Sequence, residues 1–110
     1  IVSTEEIKKI KEIVTEEEIL RLDKVVEEIY DVEYTDNYSV AYILGFDTVA
    51  NLNGSGYENL VRIVDNLNYG GEDEYFARFI LDKVLDNHKI EILKKELSEN
   101  RNRYISILYL

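Results

Sequence analysis

"YDVEYTDNYSVAY", residues 30–42, places a tyrosine at every fourth position: Tyr30, Tyr34, Tyr38 and Tyr42. Four is a helical spacing, so one long helix would gather the rings into one stripe. Read instead as two arms about a turn, the same residues give a small hairpin and an α+β fold. The element upstream decides. Behind a Thr15–Glu18 capping box, Ile19, Leu22, Val26 and Ile29 recur at intervals of three and four, which predicts an amphipathic helix over 16–32. Continued at about 100° per residue, that helix would put Glu33 on the apolar face and Tyr34 on the acidic one. It must therefore stop, and Thr35, Asp36 and Asn37 are turn formers. Tyr30 closes one element, Tyr34 and Tyr38 flank a turn, and Tyr42 belongs to the next. The hairpin remains the alternative, with Tyr30, Val32 and Tyr34 alternating against Tyr38, Val40 and Tyr42.

The same rhythm extends along the chain. Ser3 and Glu6 form another capping box, opening a helix over 4–14 with Ile7, Ile10, Ile13 and Val14 on one side. Helices are predicted over 40–52, 57–68, 73–86 and 89–99, separated by "NGSG" (53–56) and "NYGG" (68–71). The 73–86 segment carries Tyr75, Phe76, Phe79, Ile80, Leu81, Val84 and Leu85 almost all round, the pattern of a central, buried helix. The tail "RYISILYL" (103–110) is rich in β-formers and reads as a terminal strand. The expectation is one domain over 1–110, mainly α: a compact bundle of five or six short helices. A small terminal strand or hairpin is the α+β alternative.

A chain of 110 residues with 45% apolar and 33% charged content can bury a core without staples. It has no cysteine, hence no disulfide framework. No apolar run approaches the roughly 20 residues of a membrane span, and no charged-then-apolar leader opens it. The expected setting is cytoplasmic. The net charge of −10 is uneven: residues 1–38 carry five Lys/Arg against twelve Asp/Glu, whereas residues 87–110 carry five against three. Such a field repels nucleic acid, anionic membranes and phosphorylated substrates and favours a basic protein.

Catalytic and metal motifs fail on inspection. "NLNGSGYENLVR" (51–62) aligns Asn51, Asn53, Ser55 and Gly56 with the start of a calcium loop, but its twelfth position is Arg62, where a bidentate Glu is needed. "GGEDEY" (70–75) leads into a helix whose Glu72, Asp73 and Glu74 occupy the place a phosphate would take. His88 is a lone histidine, suited to a surface or capping role, and no serine lies in a nucleophile elbow. The expectation is a protein that is not an enzyme and holds no cofactor and no metal.

The charge pattern carries the functional expectation. On the 16–32 helix Glu16, Asp23, Glu27 and Asp31 lie within about 80° of one another. This is a candidate docking face, with Tyr34, Tyr38 and Tyr69 as aromatic anchors in turns. Its plain alternative is a solvated face. The expected partner is a basic protein, such as a nuclease or a nucleic-acid-binding effector. The expected roles are immunity protein, antitoxin, anti-defence (anti-CRISPR) inhibitor or nucleic-acid (DNA) mimic, as monomer or homodimer. The alternative is a helical structural or regulatory module that self-associates through an apolar face.

Two stretches resemble known inhibitors. "GYENLVRIVDNL" (56–67) resembles the helix of barstar-type ribonuclease inhibitors, which implies a contact role for Asp65, although Val61 stands where those proteins have their other acidic residue. "NGSGY" with "NYGGEDEYFARFILDKVL" (68–85) is loosely similar to an acidic helical DNA-mimic family, with different spacing. Each covers under a third of the chain, and both imply the class that the charge already favours.

Overall fold

The structure, a computed structural model, describes residues 4–31 and 56–108. Six α-helices are formed there: α1 (Thr4–Ile13), α2 (Glu16–Asp31), α3 (Gly56–Asp65), α4 (Gly71–Leu81), α5 (Asn87–Glu99) and α6 (Ile105–Leu108). Short 3-10 turns, Asn66–Asn68 and Arg101–Tyr104, extend α3 and precede α6. No strand occurs among the described residues, so the fold is mainly α. The expected 40–52 helix, Tyr34, Tyr38 and Tyr42, and all of the hairpin beyond Asp31 lie outside the described residues. Tyr30 and Asp31 are the last residues of α2.

The break between α1 and α2 is set by Thr15. Its hydroxyl accepts from the Glu18 N–H (3.2 Å), while the Glu18 carboxylate accepts from the Thr15 N–H (3.0 Å) and hydroxyl (3.1 Å). Two N–H groups that helix geometry leaves unpaired are thereby satisfied. Ile7 and Ile10 from α1, Val14 just beyond its end, and Ile19, Leu22 and Val26 from α2 then point into one core.

The central element is α3, not the 73–86 segment. Gly56, Asn59, Leu60, Val61, Ile63, Val64 and Asp65 are all buried, and α3 touches every other described helix. Gly56 lets α2 come close. A Cβ there would stand 2.4 Å from Ile19 Cγ2 and 2.9 Å from an Asp23 carboxylate oxygen.

By contrast, α4 buries only Ala77, Ile80 and Leu81, an arc of about 100°. Tyr75 is 66% exposed and Phe79 49%. Gly70 and Gly71 introduce α4 with φ of 70° and 58°, a backbone region that side-chain-bearing residues rarely enter. The helix also ends earlier than expected. After Leu81 the bonds shorten to three-residue turns, Lys83 N–H to the Ile80 carbonyl (3.2 Å) and Val84 N–H to that of Leu81 (3.0 Å). Val84 and Leu85 stay buried in that turn. Asp86 then caps α5, accepting from the Lys89 N–H at 2.8 Å. His88 is exposed beside it.

As far as Leu108 the tail is helical, correcting the expected strand over its described residues. Tyr104 and Ile107 are both buried. Three residues apart, they share a face in a helical turn but would face opposite ways in a strand. The packing requirement overrides the β-propensity of the residues between.

Candidate functional site: the outer face of α2

The outer face of α2 follows from its inner one. With Ile19, Leu22 and Val26 buried, helix geometry turns Glu16, Glu17, Leu20, Arg21, Lys24, Glu27 and Glu28 outward, and all seven are exposed. Leu20 is 67% exposed, between Glu16 and Lys24 one turn away on either side. The face is therefore a carboxylate-rich surface around one apolar side chain. Its place outside the 19–22–26 stripe is visible in the sequence; its degree of exposure is set by the fold.

The predicted site residues separate into groups. Glu16 and Glu27 are exposed on this face. Asp23 lies on its margin, half-buried, with its carboxylate against Gly56 at the start of α3. Asp31 ends α2, and its side chain lies outside the described residues, as do Tyr34 and Tyr38 entirely. Tyr69 follows the C-terminal end of α3, whereas Asp23 stands at its N-terminal end. Its ring is 55% exposed, but its hydroxyl is engaged, donating to Asp65 Oδ2 (2.9 Å) and accepting from Arg101 Nη2 (2.8 Å). Asp65, the contact residue implied by the barstar-type resemblance, is 7% exposed and gripped by the Arg101 guanidinium. It is a structural acid here and presents no contact surface.

Loss of solvent around Asp23 pushes its carboxyl above the ordinary 3.8, and the Glu27 charge adds to the effect. The fold thus favours the protonated form. That contribution is complete below about pH 4 and is lost as pH rises through the folded value. Asp23→Asn, which removes the charge and keeps the shape, is expected to melt higher than wild type at neutral pH, with the gap closing under acid. A neutral-pH melting temperature at or below wild type would show that the carboxylate is instead favoured by the start of α3.

The basic C-terminal segment is occupied internally. Lys89 binds Glu18 at 2.7 Å, tying α5 to the start of α2. Burial alone would raise the Glu18 carboxyl, but hydrogen bonds from Lys89 and Thr15 outweigh it and hold the group below its ordinary 4.5. Lys94 pairs with Glu74 (3.5 Å), Arg103 with Glu96 (2.8 Å) and Arg101 with Asp65. Arg62, the cation that breaks the calcium-loop pattern, donates to the Ile107 carbonyl (3.3 Å). Four of the five cations in 87–110 therefore hold the fold together, while the carboxylates of the α2 face remain turned to solvent.

Among the described residues no group of three His, Cys, Asp or Glu side chains could hold a metal ion, and no helix is long and apolar enough to cross a membrane. No protein-family model, curated protein or solved structure matches the chain.

Proposed function

We propose that this protein is a small non-enzymatic inhibitor or neutraliser of a basic protein, docking through the outer face of α2. The observation that supports this most is Leu20, 67% exposed on a face where Glu16, Glu17, Glu27 and Glu28 are turned to solvent. A desolvated apolar contact supplies affinity, and the surrounding charge supplies speed and partner choice. The partner class is a protein with a cationic surface carrying an apolar pocket, such as a nucleic-acid-binding effector. Immunity protein, antitoxin, anti-defence inhibitor and nucleic-acid mimic are the roles that share this chemistry. A cytoplasmic setting belongs to the same reading.

The experiment uses two variants. Glu16→Lys with Glu27→Lys changes net charge from −10 to −6 and leaves the buried stripe untouched. Asp23 is spared, because its carboxylate packs against Gly56 at the start of α3. Leu20→Ser removes the anchor alone. A partner captured from the source lysate, then purified, should bind the charge variant more than tenfold more weakly, chiefly through slower association and with a flatter salt dependence. Leu20→Ser should speed dissociation instead. Lys95→Glu, on exposed α5 surface, is the control; Lys89 and Lys94 are unsuitable because they hold tertiary ion pairs. Wild-type rates for both folded α2 variants would sink the reading.

A further inference from the structure

We propose that α4 is a hinged flap, latched to α5 by two exposed ion pairs, which opens as a unit while the rest of the described fold stays closed. The proposal does not depend on the α2 docking face. Its basis is how little of α4 is held. Three of its eleven residues are buried, Ala77, Ile80 and Leu81, against seven of ten in α3. All three lie in the C-terminal half, and none of the six residues from Gly71 to Phe76 is buried.

Both ends of the helix are built to turn. Gly70 and Gly71 enter it at φ of 70° and 58°. A Cβ on either would meet nothing within 4 Å, so glycine stands there for backbone freedom rather than for space. At the other end Asp82 and Lys83 are exposed, and the helix gives way to the three-residue turns that close on Ile80 and Leu81. Between these ends α4 rests on α2, α3 and the 66–68 turn through its apolar strip. Towards α5 it is held by polar side chains: Arg78 pairs with Glu91 (2.9 Å) and Asn87 (3.2 Å), and Glu74 with Lys94 (3.5 Å). The four charged side chains are between 30% and 51% exposed. Pairs so open to water hold weakly and are screened by salt. Segments with few buried apolar groups and solvated tethers open first. Opening uncovers Ala77, Ile80 and Leu81, so the flap is a salt-sensitive switch that presents an apolar strip.

Native-state hydrogen exchange, followed by NMR at increasing urea, tests this. Amides of Tyr75–Leu81 should exchange at least about tenfold faster than those of Leu60–Val64, and with a shallower urea dependence. Tyr104→Phe, whose hydroxyl binds Glu96 on α5, should speed exchange in α3 by about tenfold and leave α4 unchanged. Glu91→Gln, which loosens the latch, should speed exchange in α4 by about two- to fivefold at low salt and have no effect near ~1 M salt. Exchange of α3 and α4 at one rate with one urea slope, or an equal response of both to Tyr104→Phe, would make α4 part of a single cooperative unit and overturn the proposal. So would an α4 indifferent to Glu91→Gln at low salt.

Discussion

Arg101→Ala will lower the unfolding free energy by about 2–3 kcal/mol, read from urea melts. The pair it breaks joins the end of α3 to the turn before α6, 36 residues apart in sequence. The Asp65 side chain is 9% exposed and holds two donors, the Arg101 guanidinium and the Tyr69 hydroxyl. Without the guanidinium, a carboxylate is left in a poorly hydrated site with one neutral hydrogen bond. Removing one partner of a buried pair typically costs about 3–5 kcal/mol, and Arg101, itself 35% exposed, leaves a gap that water can reach, hence the smaller figure. Asp65→Asn made together with Arg101→Ala should recover at least ~1 kcal/mol, because the stranded charge is gone. Lys9→Ala gives the scale: the Lys9–Glu12 pair is over half exposed on both sides, and its loss should stay within about 0.5 kcal/mol. An Arg101→Ala cost under ~1 kcal/mol would mean that solvent already screens the Asp65 site.

The contrast between these pairs marks what the sequence could disclose. Local rules read well: the Thr15–Glu18 box and the 19–22–26 rhythm placed α2 to within a residue of its end, because both are interactions between neighbours along one helix. Interactions across the chain were not legible. Asp65 and Glu96 look like any other acid in a sequence with 23 of them, and only the fold brings arginines to them. The same gap explains α4. Six of its side chains are apolar, but burial depends on how many neighbours surround the helix, and α4 has them on one side. The tail differs for another reason: its β-propensity points to a strand, whereas Tyr104 and Ile107, three apart, carry the helical period. For the candidate site, the sequence placed Glu16 and Glu27 outward and overlooked Leu20. It also counted Asp23 as an outward residue, because a helical wheel has no knowledge of Gly56 on the neighbouring helix.

Tyr104→Ala should be the most damaging single change, at about 3–5 kcal/mol in a domain whose total stability falls in the 5–15 kcal/mol range. Tyr104 is fully buried, the largest such side chain in the described core, and its hydroxyl donates to Glu96 Oε1 at 3.2 Å. Glu96 also receives Arg103 Nη1 (2.8 Å) and Asn100 Nδ2 (3.2 Å), so truncating the ring both opens a cavity and thins a buried carboxylate's shell. Tyr104→Phe isolates the second effect. It keeps the ring and removes one charge-assisted hydrogen bond, costing about 1–2 kcal/mol with Arg103 still in place. The two variants should also part from wild type differently with pH. Burial, then the Glu96 charge, pushes the Tyr104 phenol from 10.0 up to about 12. The folded state thus favours the protonated ring, an advantage complete below pH 10 and lost as pH rises through about 12, since the unfolded chain releases that proton first. Phenylalanine has no proton to release. The stability gap between wild type and Tyr104→Phe, constant near neutrality, should therefore narrow through that alkaline window while Tyr57 and Tyr69 titrate alike in both proteins. A gap that stays constant to the end of the window would mean that the Tyr104 hydroxyl is hydrated in solution and that its bond to Glu96 contributes nothing distinctive to the fold.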